Sequence, residues 1–327
     1  MSSTRVYREQ APAKINLGLF VGSTRASDGR HELATVMQSI SLADELTLEP
    51  APAGSERDEL LCPGVQGPPE RNLAAVALRM FREASGWAAP AQRLSIVKRI
   101  PVAAGLGGGS ADAAATLRLA ARASGLGDAP SSEGEHLLDA LARELGADVP
   151  AQVAPGRWLA SGAGEQLRQL PEPSAPFGVL VLPADAELST AAVYGELDRL
   201  CAQAAAAGEL RGPGAGRGAG EVTSIQQQLA AAFADGLPLP RETELLHNDL
   251  QRAAISLCPP IEPALEEARA AGARVALVSG SGPTVLGLFD QPGDAQVAAA
   301  RLSRRDPAPI VAQSWTANDA RVRHNSP

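Results

Sequence analysis

The sequence predicts an α+β fold with two domains. Strand-like runs that alternate with turn signals open the chain, a glycine-rich loop then runs directly into an alanine-rich helix, and the second half changes to helices interrupted by two strand-like runs. A length of 327 residues also suggests two domains of roughly 150 residues each. We therefore expect an N-terminal domain over residues 1–174, a C-terminal α+β domain over 175–316 and a tail over 317–327.

The N-terminal half alternates between apolar runs and turn residues. Its predicted strands are a β-meander over 15–21, 34–42 and 44–48, and a later strand over 93–100. The last strand ends at Pro101, which has no N–H to give to a sheet. Asn72 can cap a helix whose apolar stripe stops at Gly86.

Helices dominate the rest of the chain. The helix after the glycine-rich loop opens with Ser110 and is closed by Gly125. The later predicted elements are helices over 133–145, 191–206, 223–234, 244–255 and 261–271, and strands near 157–160, 177–182, 273–278 and 284–289. The composition of 208–220 collapses largely to Gly, Ala, Arg and Pro, which predicts a flexible surface insertion without chemistry.

Composition excludes several classes of function. The formal charge of −8 and an aromatic content of 3% lack both the basic field and the stacking platforms of nucleic-acid binding. Cys62, Cys201 and Cys258 form no C-x-x-C pair, which indicates a reducing compartment and no zinc site. No signal-peptide core and no apolar run of about 18 residues is present, so we expect a cytoplasmic protein without a membrane partner.

The segment 101–111, Pro-Val-Ala-Ala-Gly-Leu-Gly-Gly-Gly-Ser-Ala, predicts a phosphate-binding loop. Glycines let the backbone approach an anion closely, and the first N–H groups of the following helix have no partner of their own. The segment lacks the lysine of a Walker A loop, and the dinucleotide fingerprint would need glycine in place of Ser110. A tight packing turn is the alternative, but three consecutive glycines cost more backbone entropy than a simple turn justifies.

Three collinear motifs resemble those of the galactokinase, homoserine kinase, mevalonate kinase and phosphomevalonate kinase superfamily. They are Ala13-Lys14-Ile15-Asn16-Leu17, the loop that begins at Pro101, and the turn Ser279-Gly280-Ser281-Gly282-Pro283-Thr284. The resemblance implies a two-domain small-molecule kinase with its active site in the cleft between the domains. The ATP-binding residues that it implies are Pro101, Val102, Ala103, Ala104, Gly105, Leu106, Gly107, Gly108, Gly109, Ser110 and Ala111.

Further motifs narrow the resemblance to one branch of the superfamily. They are Asp28-Gly29-x-His31-Glu32-Leu33, Asn72-Leu73, the Gly-Leu-Gly-Gly-Gly-Ser form of the loop, Gly146-Ala147-Asp148-Val149-Pro150 and Asn248-Asp249-Leu250. This set is most similar to the kinase family of the non-mevalonate isoprenoid pathway. It implies ATP-dependent phosphorylation of the 2-hydroxyl of a methylerythritol carried on cytidine diphosphate.

The resemblance implies that Asp148 is the catalytic base and that Lys14 is its electrostatic partner. Asp148 follows a helix C-terminus close to Pro150, where an extended segment can aim a carboxylate into a cleft; without the motif it would be a turn aspartate. Lys14 lies in an apolar strand, where an unpaired ammonium is costly. The alternative for such a lysine is snorkelling to solvent, which we expect of Lys98.

Substrate contacts are expected from four residues. Asn16, one strand period beyond Lys14, faces the same side. His31 is implied to read cytidine, although a histidine after Asp-Gly is otherwise a turn residue. Arg30 stands where the family usually has tyrosine, and an arginine plane can also stack on a base. Thr284 and its turn are implied to close over the reacting phosphate, with a plain hairpin turn as the alternative.

Magnesium is expected to arrive with ATP, and Ser110 is the best protein candidate to touch the metal or a phosphate oxygen. Asp112 is interpreted as a first-turn acid of the helix. Ala151-Gln152 stands where the family has bulkier apolar or aromatic residues, and the sequence offers no account of that departure.

Two alternatives stay open at this stage. One is a superfamily kinase for another small alcohol, of homoserine or mevalonate type, against which Asp28-Gly29-x-His31 argues. The other is a non-catalytic nucleotide sensor on the same fold, which would be expected to have lost Lys14 or Asp148. The partners expected are small molecules, and the assembly is left open between monomer and homodimer.

Overall fold

The computed structural model describes residues 5–126, 132–208 and 217–316. The strands are β1 (Tyr7–Thr24), β2 (His31–Pro50), β3 (Glu59–Leu61), β4 (Gln92–Val97), β5 (Arg157–Ser161), β6 (Gln166–Gln169), β7 (Gly178–Leu182), β8 (Val275–Val278), β9 (Val285–Phe289) and β10 (Ile310–Gln313). The helices are α1 (Leu73–Ser85), α2 (Gly108–Ser124), α3 (Ser132–Leu145), α4 (Val149–Val153), α5 (Thr190–Ala206), α6 (Ala219–Ala232), α7 (Gln251–Leu257), α8 (Ile261–Ala270) and α9 (Pro292–Arg301).

The chain packs as two compact units, each built from separated segments. Among the described residues, the first unit draws on 5–13, 42–102 and 107–155, and the second draws on 14–41, 103–106 and 156–316. These segments differ from the single boundary at residue 174 that the sequence predicts. Because β1 and β2 are long, each passes from one unit to the other within a single strand.

The first unit packs helices on a small sheet. Residues 45–50 of β2 pair antiparallel with β4, and β3 pairs parallel with β4. The side chains of α1 and α2 share one buried cluster, in which Phe81 and Leu78 meet the alanines and leucines of α2. Small alanine side chains let helices approach closely, which explains why an alanine-rich helix can be almost wholly buried here.

The second unit contains a four-stranded antiparallel sheet in the order β10-β7-β9-β8. Strands β7 and β9 are buried along their whole length, and side chains of α5, α7, α8 and α9 belong to the same apolar cluster. A second pairing in this unit joins residues 35–38 of β2 to β5, and β5 continues to β6. The part of β1 from Lys14 onward and the whole of β8 also belong to this second unit.

Two strand predictions are corrected in the region of Asp44. The runs 34–42 and 44–48 form a single strand, β2, in which the carboxylate of Asp44 is buried. That carboxylate accepts hydrogen bonds from the backbone N–H groups of Arg99 and Ile100. Because these N–H groups bind a side chain instead of a neighbouring strand, β4 ends at Val97 and not at residue 100.

The helix predicted over 244–255 is wrong. The structure has a 3₁₀ turn at Thr243–Leu245, then an irregular stretch, then the short helix α7. In that stretch the Asn248 side chain binds backbone groups, and the Asp249 carboxylate accepts a hydrogen bond from the N–H of Val21 at 2.8 Å. These side-chain bonds compete with helix formation, as Asn and Asp commonly do.

Other predictions are confirmed or extended. The side chain of Asn72 caps α1 by accepting a hydrogen bond from the N–H of Ala74, and Gly86 closes that helix in the left-handed conformation. Of the predicted insertion, 209–216 lies outside the described residues, but Arg217 is ordered by ion pairs with Asp249 and Glu221. The predicted tail 317–327 also lies outside them. No helix in the described part of the chain is long and apolar enough to cross a membrane.

Candidate active site

The first motif places two polar side chains on one buried face of β1. The Lys14 Nζ donates a hydrogen bond to the Asn16 Oδ1 at 2.9 Å, and the Asn16 Nδ2 donates to the Thr35 Oγ1 at 2.8 Å. Residues two apart on a strand share a face, so this arrangement is the one that the spacing predicts. Both side chains are buried in the second unit, and the ammonium is fixed by a neutral amide whose own N–H is satisfied.

The turn 279–284 lies directly against these side chains. A Cβ atom on Gly280 would lie 3.3 Å from the Asn16 Oδ1 and 3.8 Å from the Lys14 Nζ. Gly280 and Gly282 have φ of 55° and 78°, a region that favours glycine. The turn is closed by backbone hydrogen bonds from Gly282 to Ser279 and from Ser279 to Thr284.

The first half of the glycine-rich loop joins the same group. The Ser279 Oγ donates to the carbonyl of Gly105 at 3.1 Å, and the backbone N–H of Lys14 donates to the carbonyl of Leu106 at 2.9 Å. A Cβ on Gly105 would lie 2.4 Å from the carbonyl oxygen of Ser279, so only glycine allows this approach. Parts of all three motifs therefore meet within the second unit.

Asn248 holds the turn in place, a role that sequence reasoning missed. Its Nδ2 donates to the carbonyls of Val278 and Gly280 at 2.8 and 2.7 Å, and its Oδ1 accepts from the N–H of Leu250. Asn248 belongs to the motif Asn248-Asp249-Leu250, but the helix that the sequence predicts over 244–255 gives its side chain no such role. An asparagine that interrupts an apolar helical pattern was the available signal.

The second half of the loop begins α2 in the first unit. Gly107 has φ of 68° and precedes the helix, which starts at Gly108 and not at Ser110 as predicted. Two of the three consecutive glycines thus lie in the first turn, where N–H groups have no acceptor within the helix. Ala103 also has a positive φ, 54°, although it is not a glycine. Such a conformation is uncommon for alanine and marks a constrained loop.

Lys98 does not snorkel to solvent as predicted. Its Nζ lies between two buried carboxylates of the first unit, Asp44 and Asp112, and is 2.7 Å from the Asp112 Oδ2. Burial raises the pKa of Asp112 to about 7, an effect that Lys98 opposes and Asp44 reinforces. The Asp112 Oδ1 is buried without a hydrogen-bond partner. Asp112 is therefore not the first-turn acid that the sequence predicts, because α2 already starts at Gly108, and its carboxylate instead ties α2 to the end of β4.

We expect the Asp112→Asn variant to be more stable than the wild type, by a margin that grows as the pH rises. The folded chain binds the Asp112 proton more tightly than the unfolded chain, so this carboxyl lowers wild-type stability progressively between its usual pKa of 3.8 and about 7. Asparagine does not titrate and can still accept a hydrogen bond from Lys98. Urea titrations should show the advantage of the variant growing by more than about 1 kcal/mol between about pH 5 and about pH 8. An advantage that shrinks with pH would contradict this.

Asp148 is not in an extended segment. It stands immediately before α4 with φ of −84° and ψ of −18°, in the helical region, and is half-buried in the first unit. The guanidinium of Arg118, on α2, donates to the carbonyls of Gln152 and Val153 and so satisfies the C-terminal end of α4. This bond fixes the short helix on which the position of Asp148 depends.

Gln152 stands where the family usually has a bulkier apolar or aromatic residue. Its side chain is buried, and neither its amide nitrogen nor its amide oxygen has a hydrogen-bond partner. Arg118 binds only its backbone carbonyl. An amide therefore fills the position of a bulkier apolar group without gaining polar contacts, and nothing in the structure explains why the amide is used.

His31 lies beside an aromatic residue that the sequence did not reveal. The ring centroids of His31 and Tyr194 are 5.2 Å apart with an interplanar angle of 33°, and both residues belong to the second unit. The neighbouring Arg30 is exposed and donates to the carbonyl of Ala163 at 2.8 Å. Arg30 is therefore held against the β5–β6 turn, and its stacking on a base stays a prediction.

Thr284 is fully buried, and its Oγ1 has no hydrogen-bond partner. Ser281, in the same turn, is half-buried, and its Oγ lies 3.1 Å from the Thr190 Oγ1. A direct contact between Thr284 and substrate stays a prediction.

Comparison with known proteins gives a consistent assignment. The GHMP kinases N terminal domain family matches residues 72–156, and the GHMP kinases C terminal family matches residues 229–308. The chain is 43% identical over 302 residues to the 4-diphosphocytidyl-2-C-methyl-D-erythritol kinase of Streptomyces avermitilis, covering 90% of this chain and 92% of that protein. The protein of the same name from Mycobacterium bovis is 40% identical over 296 residues, which cover 90% of this chain and 85% of its own.

Solved structures agree with these relatives. A crystal structure of 4-(cytidine 5'-diphospho)-2C-methyl-D-erythritol kinase matches with a TM-score of 0.70 at 33% identity, covering 95% of this chain and 100% of that chain. The mevalonate kinase of L. major, in complex with R-mevalonate, matches with a TM-score of 0.66 at 16% identity, covering 95% and 97%. The second match shows a shared fold. The α+β fold and the resemblance predicted from the motifs are confirmed.

Proposed function

Because the chain belongs to the 4-diphosphocytidyl-2-C-methyl-D-erythritol kinase family of the GHMP kinases, we propose that it phosphorylates 4-diphosphocytidyl-2-C-methyl-D-erythritol. The γ-phosphoryl group of ATP is transferred to the 2-hydroxyl of this substrate, in non-mevalonate isoprenoid biosynthesis. The chain is an ATP-dependent kinase.

One observation carries the proposal. The Lys14–Asn16 pair, the carbonyl of Gly105 and the turn around Gly280 lie within hydrogen-bonding or van der Waals distance in one packed unit. These three segments are far apart in the sequence, so the contacts between them support a single common binding site. The function that suits a buried ammonium, glycine-rich backbone and a carbonyl-bound turn is holding phosphate groups.

The proposed chemistry assigns one step to each of two residues. The Asp148 carboxylate accepts the proton of the substrate hydroxyl while the oxygen of that hydroxyl bonds to the γ-phosphorus. The bond from that phosphorus to the bridging oxygen breaks, and ADP leaves. The Lys14 ammonium offsets the negative charge that develops on the transferred group.

Magnesium fits this site as an ion that ATP brings with it. Among the described residues, no group of three or more His, Cys, Asp or Glu side chains could hold a metal ion. An oxygen donor is present in the half-buried Ser110, in the first turn of α2, and oxygen is the ligand that Mg²⁺ prefers. We propose that Ser110 contacts the ion or a phosphate oxygen. The ion supplies neutralisation of the phosphate charges.

Cytidine is proposed to bind beside His31 and Tyr194. The ring of Tyr194, whose centroid lies 5.2 Å from that of His31, is of the aromatic kind on which bases stack. Tyr194 is partly buried against the core of the second unit, which restricts its ring. Asn16 is proposed to hydrogen-bond the substrate from the Lys14 face of β1.

Coupled ADP release tests the proposed function directly. We expect the purified protein to release ADP with ATP, Mg²⁺ and 4-diphosphocytidyl-2-C-methyl-D-erythritol, and not with homoserine or mevalonate in its place. Release with homoserine or mevalonate alone would establish a different alcohol substrate. Binding of ATP without transfer to any of these alcohols would favour a nucleotide sensor.

A further inference from the structure

His31 faces a carboxylate that the proposed mechanism does not use. The Asp198 Oδ1 lies 3.2 Å from the His31 Nε2, and Asp198 stands one helical turn after Tyr194 on α5. The Asp198 side chain is 55% exposed, whereas that of His31 is 10% exposed. His31, Tyr194 and Asp198 therefore lie together, with an imidazole, an aromatic ring and a carboxylate in one place.

The tautomer of His31 follows from its other nitrogen. The Nδ1 lies 2.8 Å from the carbonyl oxygen of Gly22, which can only accept a hydrogen bond, so Nδ1 carries a proton. In the neutral ring, Nε2 is then an acceptor, as is the carboxylate of Asp198. Two acceptors side by side repel each other unless the ring is protonated or a group with donor hydrogens lies between them.

We propose that Asp198 is a specificity-determining residue, which together with the Nε2 of His31 binds the exocyclic amino group of a cytosine base and rejects uracil. This inference rests on the proposed function, because it names how the nucleotide part of that substrate is read. The amino group on C4 of cytosine presents two N–H donors, and a carboxylate is a suitable acceptor for it. Uracil has a carbonyl oxygen at that position, which both acceptors would repel.

The positions of the surrounding groups agree with this assignment. The ring of Tyr194 lies next to His31, and a base can stack on an aromatic ring in this position. Because Asp198 is more than half exposed, its carboxylate can move aside to admit the amino group while His31 stays fixed by Gly22. A site that hydrogen-bonds a substrate group strongly rejects an analogue lacking it, since its polar groups are then left unpaired.

The test compares Asp198→Asn and Asp198→Ala with the wild type on matched cytidine and uridine ligands. Affinities for cytidine 5'-diphosphate and uridine 5'-diphosphate are measured by calorimetry, and kcat/KM is measured on cytidine and uridine forms of the diphospho-methylerythritol. We expect wild type to prefer the cytidine ligands and both variants to lower that preference about 10-fold or more. Asparagine can donate to the uracil oxygen, so Asp198→Asn should also improve uridine binding relative to Asp198→Ala.

The outcomes separate this inference from the proposed function. Asp294→Asn, at an exposed aspartate of α9, serves as the matched control and should leave the cytidine-to-uridine ratio unchanged. Equal losses on both bases, or no change in the ratio, would show that Asp198 is only structural and would overturn the inference, even if the wild type phosphorylates the cytidine substrate. A cytidine preference that depends on Asp198 in the binding measurement, without turnover, would uphold the inference and overturn the proposed function.

Discussion

Asp148→Asn is expected to lower kcat by about 100- to 10,000-fold, and Lys14→Met by about 100- to 1,000-fold, while ATP affinity stays within about 3-fold of wild type. Asparagine matches the shape of aspartate but cannot accept the hydroxyl proton. Methionine matches the length of lysine but carries no charge to offset that of the transferred group. ATP affinity is retained because the proposed ATP contacts come mainly from the backbone of the glycine-rich loop.

The two losses should not add. If Asp148 and Lys14 act on the same transition state, the double variant is expected to lose little more activity than Asp148→Asn alone. Asp139→Asn, at an exposed aspartate on α3, is the matched control and should leave kcat unchanged. Near-normal kcat in either single variant would remove that residue from the mechanism.

Because the chain has only two lysines, NMR of their side chains tests the role of Lys14 independently of kinetics. The sequence contains 29 basic residues, of which only Lys14 and Lys98 are lysines, so selective ¹⁵N labelling of lysine yields two side-chain signals. Lys98 is bound between Asp44 and Asp112, and Lys14 donates a hydrogen bond to the Asn16 Oδ1. Addition of a non-hydrolysable ATP analogue should shift the Lys14 signal more than that of Lys98. A response confined to Lys98 would contradict the assignment of Lys14 to the phosphate groups.

Sequence patterns predicted the parts of this site that depend on local chemistry. The spacing of Lys14 and Asn16 on a strand, and the glycines that the loop and the turn require, are visible residue by residue. A glycine is needed where φ is positive or where another backbone comes close, and both conditions hold at Gly105 and Gly280. Such requirements survive in the sequence because no other residue meets them.

Contacts between distant segments could not be predicted in the same way. Asn248 binds the carbonyl of Val278, 30 residues away, and this bond replaces the helix that apolar periodicity favours. Lys98 reaches Asp44 across 54 residues, so its strand position alone suggested a solvent-facing lysine. Tyr194 resembles any half-buried helix residue until the fold brings it beside His31. In each case tertiary packing overrides a local preference.

Gly105→Ala is the second variant for which we expect a large effect. The added Cβ would lie 2.4 Å from the carbonyl oxygen of Ser279 and 3.0 Å from that of Gly282, and both are backbone atoms that cannot turn aside. Gly105 also has φ of 74°, which costs alanine roughly 1–2 kcal/mol. The loop must therefore move away from the turn, and the Ser279 Oγ loses its bond to the carbonyl of Gly105.

The expected result of Gly105→Ala is a loss of about 2–4 kcal/mol in the free energy of unfolding, together with at least about 10-fold weaker ATP binding. Gly109→Ala is the matched stability control, because a Cβ there meets nothing within 4 Å and the residue lies in α2. That variant should be as stable as wild type or more stable by up to about 1 kcal/mol. Equal stability of the two variants in urea titrations would mean that the loop does not pack on the turn, and the convergence of the three motifs would lose its physical basis.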